Sequence, residues 1–311
     1  MARDVDVAII GGGIAGFTAA LTAARAGWKT LVIAGGIPGG QLTSIEKVEG
    51  VPGFPDGVPG YDLGPMTQEQ ADAAGAEIMM ANCAAIIPAG PHDRWIVMSD
   101  GEDVSARAVI VATGTAFAKL GVDGEERLAG KGVSDCASCD GPLLRGKTAV
   151  VVGGGDSALQ EALTLAEHLS KVIVLERGGA LTAQKNYQDR ARANGKIEVR
   201  TQTTVTAILG DDAVSHARVK DLATGTETDL PVSAVFAFIG LVPNTSVVRG
   251  VATLDGGGRI AVDAAMRSNA RGICAAGNVR QSSPHRAAGA MGDGAAAAMS
   301  VDRYLRTGEW R

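Results

Sequence analysis

The sequence predicts an α/β protein made of two dinucleotide-binding, Rossmann-like three-layer domains, and three observations carry that expectation. A strand-and-glycine motif occurs twice, as Val7-Ala8-Ile9-Ile10-Gly11-Gly12-Gly13 and as Val150-Val151-Val152-Gly153-Gly154-Gly155, with Gly153 lying 142 residues after Gly11. Each copy runs on into a helical pattern and a second apolar strand, the order that feeds a parallel sheet. The 311 residues suffice for about two domains at roughly 150 residues each.

In chain order, the first copy predicts a buried strand ending at Ile10, a glycine turn, an amphipathic helix and a strand from Thr30 to Ala34. Glycine and proline cluster between Gly35 and Pro65, which reads as a long loop over a ligand. In the second copy Leu159, Ala162, Leu163, Ala166 and Leu169 recur at helical spacing, and a strand follows from Val172 to Glu176. Lys29 and Lys171 each lie 18 residues after the first glycine of their copy, so the two units align without a gap. Beyond Gly195, the spacing of Ile197, Val199, Val205 and Ile208 suggests further strands.

Composition excludes several classes. Glycine, at 43 residues, is about twice as frequent as usual but lacks the triplet period of collagen. Lys plus Arg (29) falls below Asp plus Glu (34) and aromatics are sparse, which argues against a nucleic-acid partner. Asp4 and Asp6 stand where an export signal has a basic start, and no stretch reaches the roughly 18 apolar residues of a membrane span. A soluble cytoplasmic protein is expected. Four cysteines are too few for a disulfide scaffold, but Cys136 and Cys139 form a C-x-x-C pair.

Gly11, Gly13 and Gly16 follow a strand and open a helix, where glycines allow a tight turn, close approach of a pyrophosphate and packing of helix on sheet. Gly153, Gly155 and Ala158 repeat the pattern, with Asp156 and Ser157 in the same turn. Two such sites suggest two different dinucleotides. At the end of the second strand, where a carboxylate accepts from ribose hydroxyls, one copy has Ala34 and the other Glu176. Glu176 favours a free 2′-hydroxyl, hence NADH, while neighbouring Arg177 leaves NADPH open.

The segment Cys136-Ala137-Ser138-Cys139-Asp140-Gly141 precedes the second unit. A C-x-x-C closes a small ring in which one thiolate is favoured, so it can cycle between dithiol and disulfide; half of a zinc site is the competing reading, for which further ligand motifs are missing, and no metal is expected. Asp140 is either a proton donor and acceptor for the thiols or a cap for the turn before Pro142. Cys83 and Cys274 read as core residues, and His92, His168 and His216 are given no catalytic role.

Two dinucleotide motifs, a C-x-x-C-D between them and a late Gly272-Ile273-Cys274-Ala275-Ala276-Gly277-Asn278 together resemble the low-molecular-weight thioredoxin reductase family over essentially the whole chain. The stretch from Cys136 to Leu144 is most similar to the reductase portion of the alkyl hydroperoxide reductase flavoprotein subunit. The resemblance implies that Gly11, Gly13 and Gly16 hold FAD, with Gly39, Gly40, Gln41, Leu42, Ala112, Thr113, Gly114, Gly277 and Asn278 completing its site. It implies that Gly153, Gly155, Ala158 and Glu176 hold the nicotinamide nucleotide. Cys139 would face the flavin, Cys136 would attack the substrate, and Asp140 would be the acid. The FAD domain would be discontinuous, 1–117 plus 243–311, with the NAD(H) domain inserted at 118–242; rotation between the two, and a homodimer, are also implied.

Five departures from the family pattern sharpen the expectation. NADPH-using members carry H-R-R-x-x-x-R where this chain has Glu176, Arg177, Gly178 and Thr182. The acid expected on the flavin's ribityl chain is the neutral Asn278, and the Asn expected before a Pro-Gly turn is Gly50. The family's Arg-Gln pair appears as His285-Arg286, either a cation that raises the flavin potential or a surface pair. Paired aromatics after C-D-G are replaced by Pro142-Leu143, so the partner is a thioredoxin-like protein or a small-molecule disulfide. The expected function is an FAD-dependent, NADH-preferring disulfide reductase; the alternatives are a dithiol oxidase using oxygen and a non-catalytic flavin or nucleotide sensor.

Overall fold

The structure, a computed structural model, describes residues 2–89 and 94–310. The chain divides into two compact units, Met1–Ala116 with Pro243–Arg311, and Phe117–Val242. It runs β1 (Arg3–Ile10), α1 (Ile14–Arg25), β2 (Thr30–Ile33), α2 (Gly60–Ala73), β3 (Glu77–Met79), β4 (Cys83–Pro88), β5 (Trp95–Ser99), β6 (Val104–Val111) and β7 (Thr115–Phe117). In the second unit follow β8 (Val133–Ser134), α3 (Ala137–Asp140), β9 (Thr148–Val152), α4 (Asp156–His168), β10 (Lys171–Leu175), α5 (Lys185–Ala193), β11 (Ile197–Arg200), β12 (Thr203–Leu209), β13 (His216–Asp221), β14 (Glu227–Pro231) and β15 (Ala234–Ala237). The chain returns through β16 (Leu241–Pro243) to β17 (Ile273–Ala275) and α6 (Ala287–Thr307).

The sheet of the first unit has the order β3-β2-β1-β6-β5-β4, with β17 also on β6. Its centre is parallel, Val7 to Ile10 lying beside both Thr30 to Ile33 and Ala108 to Val111, and β4 and β5 join antiparallel. Both faces of the second half of β1, Val7 to Ile10, are buried, which is why that half is a continuous apolar run. Val7 and Ile9 pack toward α1 and α6, and Val5, Ala8 and Ile10 pack into a second cluster with Val247, Val248 and Ile260. Small residues let α1 and α6 approach closely: a Cβ at Gly294 would collide with the Ala15 carbonyl oxygen.

The second unit is three layers deep. Its parallel sheet has the order β11-β10-β9-β15-β8. One face, with Val151, Val174 and Phe236, meets Leu159, Ala162 and Leu165 of α4. The other, with Val150, Ile173 and Val235, meets Val205, Ile208, Ala217 and Val219 of the antiparallel β12-β13-β14 sheet. Each fully buried leucine of this kind contributes roughly 1.5–3 kcal/mol. Ile197 and Val199 therefore lie on a parallel strand, Val205 and Ile208 on an antiparallel one.

The segment between Gly35 and Pro65 is not all loop. It holds a 3-10 turn over Gly40–Ser44, and α2 begins within it at Gly60 and contains Pro65. Proline removes one helical N–H, yet Leu63, Thr67 and Ala71 bury a common face, and that tertiary burial overrides the local penalty.

Candidate active site

In the first unit the glycine turn is fixed by backbone crowding. Gly11 has φ +113°, and a Cβ there would strike the carbonyl of Ala112; a Cβ at Gly16 would strike the carbonyl oxygen of Gly11. Gly39 donates its N–H to the Gly12 carbonyl at 2.7 Å, and a Cβ on Gly40 would lie 3.3 Å from the Cα of Gly13. Gln41 Nε2 donates to the Thr115 carbonyl at 2.8 Å, while Leu42 packs into the apolar cluster beneath. Thr113 Oγ1 donates to the Asn244 carbonyl at 2.7 Å, and Asn244 in turn donates Nδ2 to the Thr113 carbonyl and its N–H to the Gly114 carbonyl. Gly277, at φ +77°, sits against α1, where a Cβ would be 3.0 Å from that of Ala15.

The fold thus draws residues 11–16, 39–42, 112–114 and 277 around one helix start. Above Gly13 a Cβ would meet nothing within 4 Å, no side chain caps α1, and its first turn holds no acid. Uncapped N–H groups with a positive dipole end and open space fit the diphosphate of a dinucleotide. Asn278 is reached through its side chain, whose Oδ1 accepts from Ser283 Oγ at 3.2 Å, and Ser283 Oγ also accepts the N–H of His285 at 3.3 Å. His285 and Arg286 are exposed on the segment leading into α6, His285 with a left-handed φ of +52°. Partial loss of hydration against the surrounding chain, then the guanidinium groups of Arg259, Arg286 and Arg280, hold the His285 imidazole below its usual pKa.

In the second unit Gly153, φ +127°, lies under the Phe238 carbonyl, and Ala158 is the small residue that lets α4 close on it. Glu176 folds over this turn: its carboxylate lies where a Cβ on Gly154 would be, and Oε1 accepts the Gly178 N–H at 2.6 Å. Thr182 and Ala183 donate their N–H groups to the Gly154 carbonyl at 2.9 and 3.0 Å. Asp156 accepts from the backbone N–H of Gln184 at 2.6 Å and from its Nε2 at 2.9 Å, so it ties this loop to α4. Ser157 and Arg177 are exposed. No side chain caps α4 at Gly155, and a Cβ there would meet only Thr182 Oγ1 at 3.8 Å, so this turn too has room for a dinucleotide.

Cys136 and Cys139 are joined in a disulfide, with Cα atoms 5.3 Å apart, on the short helix α3. Ala137 is fully buried against Ala158, Ala162 and Leu165, and Gly141 abuts the His168 ring, so α3 rides on α4, the helix of the second glycine turn. Cys136 is half-buried and Cys139 exposed. Cys136 is the N-cap: its Sγ accepts the Cys139 N–H at 3.2 Å and lies 3.5 Å from Ser138 Oγ. The Asp140 side chain makes no capping bond to the turn at Pro142, so the capping alternative is not what the structure shows. Burial pushes the Cys83 thiol up to about 11 and the fully buried Cys274 higher still, as inert core thiols require. His92 lies outside the described residues. Sequence reasoning missed Asn244, Ser138, Arg280 and Asp293; only Ser138 had a local signal, its place inside the C-x-x-C.

A three-layer nucleotide-binding fold carrying a C-x-x-C disulfide defines the class, and residues 5–294 match the family model of pyridine nucleotide-disulphide oxidoreductase. The chain is similar to thioredoxin reductase of Listeria monocytogenes, 40% identical over 96% of this chain and 93% of that one, and to thioredoxin reductase of Mycolicibacterium smegmatis, 42% identical over 96% of both. Its structure is similar to Lactococcus lactis thioredoxin reductase, with a TM-score of 0.94, 34% identity, and coverage of 97% of this chain and 99% of that one. The chain belongs to the thioredoxin reductase family of flavoprotein disulfide oxidoreductases, and Cys136–Cys139 is its redox-active pair. Among the described residues, no helix is long and apolar enough to cross a membrane.

Proposed function

We propose that the protein reduces thioredoxin or a thioredoxin-like disulfide protein with electrons from NADH, through FAD held by the first unit. The observation that carries the nucleotide preference is Glu176, whose carboxylate lies over the second glycine turn, where ribose hydroxyls can donate to it and a 2′-phosphate would be repelled. Of the arginines of the NADPH pattern, only Arg177 is present, and it is exposed. The first unit supplies Gly11, Gly13, Gly16, Gly40, Gln41 and Asn278 for FAD; the second supplies Gly153, Gly155, Ala158 and Glu176 for the nicotinamide nucleotide.

Bound FAD supplies the two-electron exchange between nicotinamide and disulfide. In the reduced protein, Cys136 is the nucleophile, since the Cys139 N–H, the Ser138 hydroxyl and the start of α3 all stabilise a thiolate there. Its Sγ attacks one sulfur of the partner disulfide, forming a mixed disulfide and releasing one partner thiolate. Cys139 then attacks Cys136, restoring their bond and releasing the second partner thiolate, with Asp140 as the proton donor.

Steady-state reduction of thioredoxin tests this reading. NADH should give a kcat/KM at least tenfold that of NADPH, Glu176→Ala should narrow the ratio, and Cys136→Ser should abolish turnover. A preference for NADPH, or turnover by Cys136→Ser, would overturn it. A homodimer is the assembly this family membership suggests.

A further inference from the structure

Arg280 and Asp293 form an ion pair whose side chains are only 13% and 7% exposed. Burying two charges costs several kcal/mol per ion unless geometry is excellent. Here Arg280 Nε donates to Asp293 Oδ2 at 2.8 Å and Nη2 to Oδ1 at 2.7 Å, the two-pronged arrangement that best offsets desolvation. Two further bonds tie the pair to the backbone. Asp293 Oδ2 also accepts the Gly277 N–H at 3.1 Å, and Arg280 Nη1 donates to the Gln281 carbonyl at 2.9 Å.

One carboxylate from α6 thereby holds both ends of the turn that carries Asn278. Gly277 has no slack: it is left-handed and wedged against Ala15 of α1. Asn278, the neutral residue where the family pattern has an acid, projects from the middle of this braced turn. Two well-packed apolar side chains could match the pair in stability. They could not fix the direction of the Gly277 N–H and the Gln281 carbonyl. We propose that Asp293 and Arg280 are cofactor-positioning residues, which set the Gly277–Asn278 turn for FAD from the neighbouring helix. The inference rests on the reading of Gly277 and Asn278 as FAD residues.

The test is the dissociation constant of FAD, read from flavin fluorescence on adding FAD to the full-length apoprotein, together with the visible circular dichroism of the bound flavin. Four proteins are compared: wild type, Arg280→Met/Asp293→Leu, Asp293→Asn and Asn278→Leu. The double variant should melt as an apoprotein within a few degrees of wild type, yet bind FAD at least tenfold more weakly and with an altered flavin dichroism; Asp293→Asn should be intermediate. If the double variant does not fold, Asp293→Asn decides by the same criterion. Unchanged affinity and dichroism in the variants of the pair, with Asn278→Leu weakened, would overturn the inference alone. Unchanged FAD binding in Asn278→Leu as well would overturn the assignment of the turn to FAD, and the inference with it.

Discussion

Cys136 illustrates how much one residue's chemistry depends on its backbone position. As the N-cap of α3 it has an N–H and a hydroxyl aimed at sulfur, whereas Cys274 is fully buried and its thiol resists ionisation, chiefly because burial desolvates it. In a Cys139→Ser background, adding Ser138→Ala should slow iodoacetamide alkylation of Cys136 at pH 6 to 7 several-fold and leave the rate at high pH nearly unchanged. Equal slowing at all pH values would point to access rather than thiolate stabilisation. His285 gives a prediction with a definite sign. Its folded pKa lies below its ordinary value of about 6.5, so as pH falls through that value the unfolded chain binds a proton that the folded chain does not. The contribution of His285 to stability should therefore be complete above its ordinary pKa and be lost as pH falls below it. His285→Asn, which tolerates the left-handed φ, should flatten that slope in urea unfolding.

At the scale of elements, two of the three glycines of α6 have opposite consequences. Gly292 is exposed, with nothing within 4 Å of a Cβ, whereas Gly294 is buried against the Ala15 carbonyl of α1. Alanine in an open helical position gains up to about 1 kcal/mol over glycine, so Gly292→Ala should raise the melting temperature. Gly294→Ala should lower it and weaken FAD binding, because it forces α1, which starts at the dinucleotide turn, away from α6. Thermal melts with and without FAD check both. The elements legible in the sequence were those whose signal is local. β1, α1 and β2, and their counterparts β9, α4 and β10, announce themselves by apolar runs and glycine turns, because both sheet faces are buried. The start of α2 was hidden under glycine and proline, since its stability comes from burial of Leu63 and Ala71 rather than propensity. The same holds within the site: Gly11 and Cys136 are read from their neighbours in the chain, but Asn244 meets Thr113 across 131 residues and no pattern joins them.

For the whole molecule, two similar nucleotide-binding units are put to two uses. The first leaves an acid-free, uncapped helix start among residues that belong to the same unit; the second sets Glu176 over its glycine turn and packs the disulfide-bearing α3 against the helix that begins there. An electron route from nicotinamide to flavin to Cys136–Cys139 uses every one of these features, and neither a dithiol oxidase nor a nucleotide sensor needs them all. The most direct measurement is anaerobic titration of the FAD-loaded protein with NADH, following flavin absorbance and counting new thiols. Flavin and disulfide each accept one electron pair, so wild type should take up about two equivalents of NADH and expose new thiols at Cys136 and Cys139, while Cys136→Ser should take up about one. Full bleaching at one equivalent with no new thiols, or no bleaching by NADH, would contradict the account.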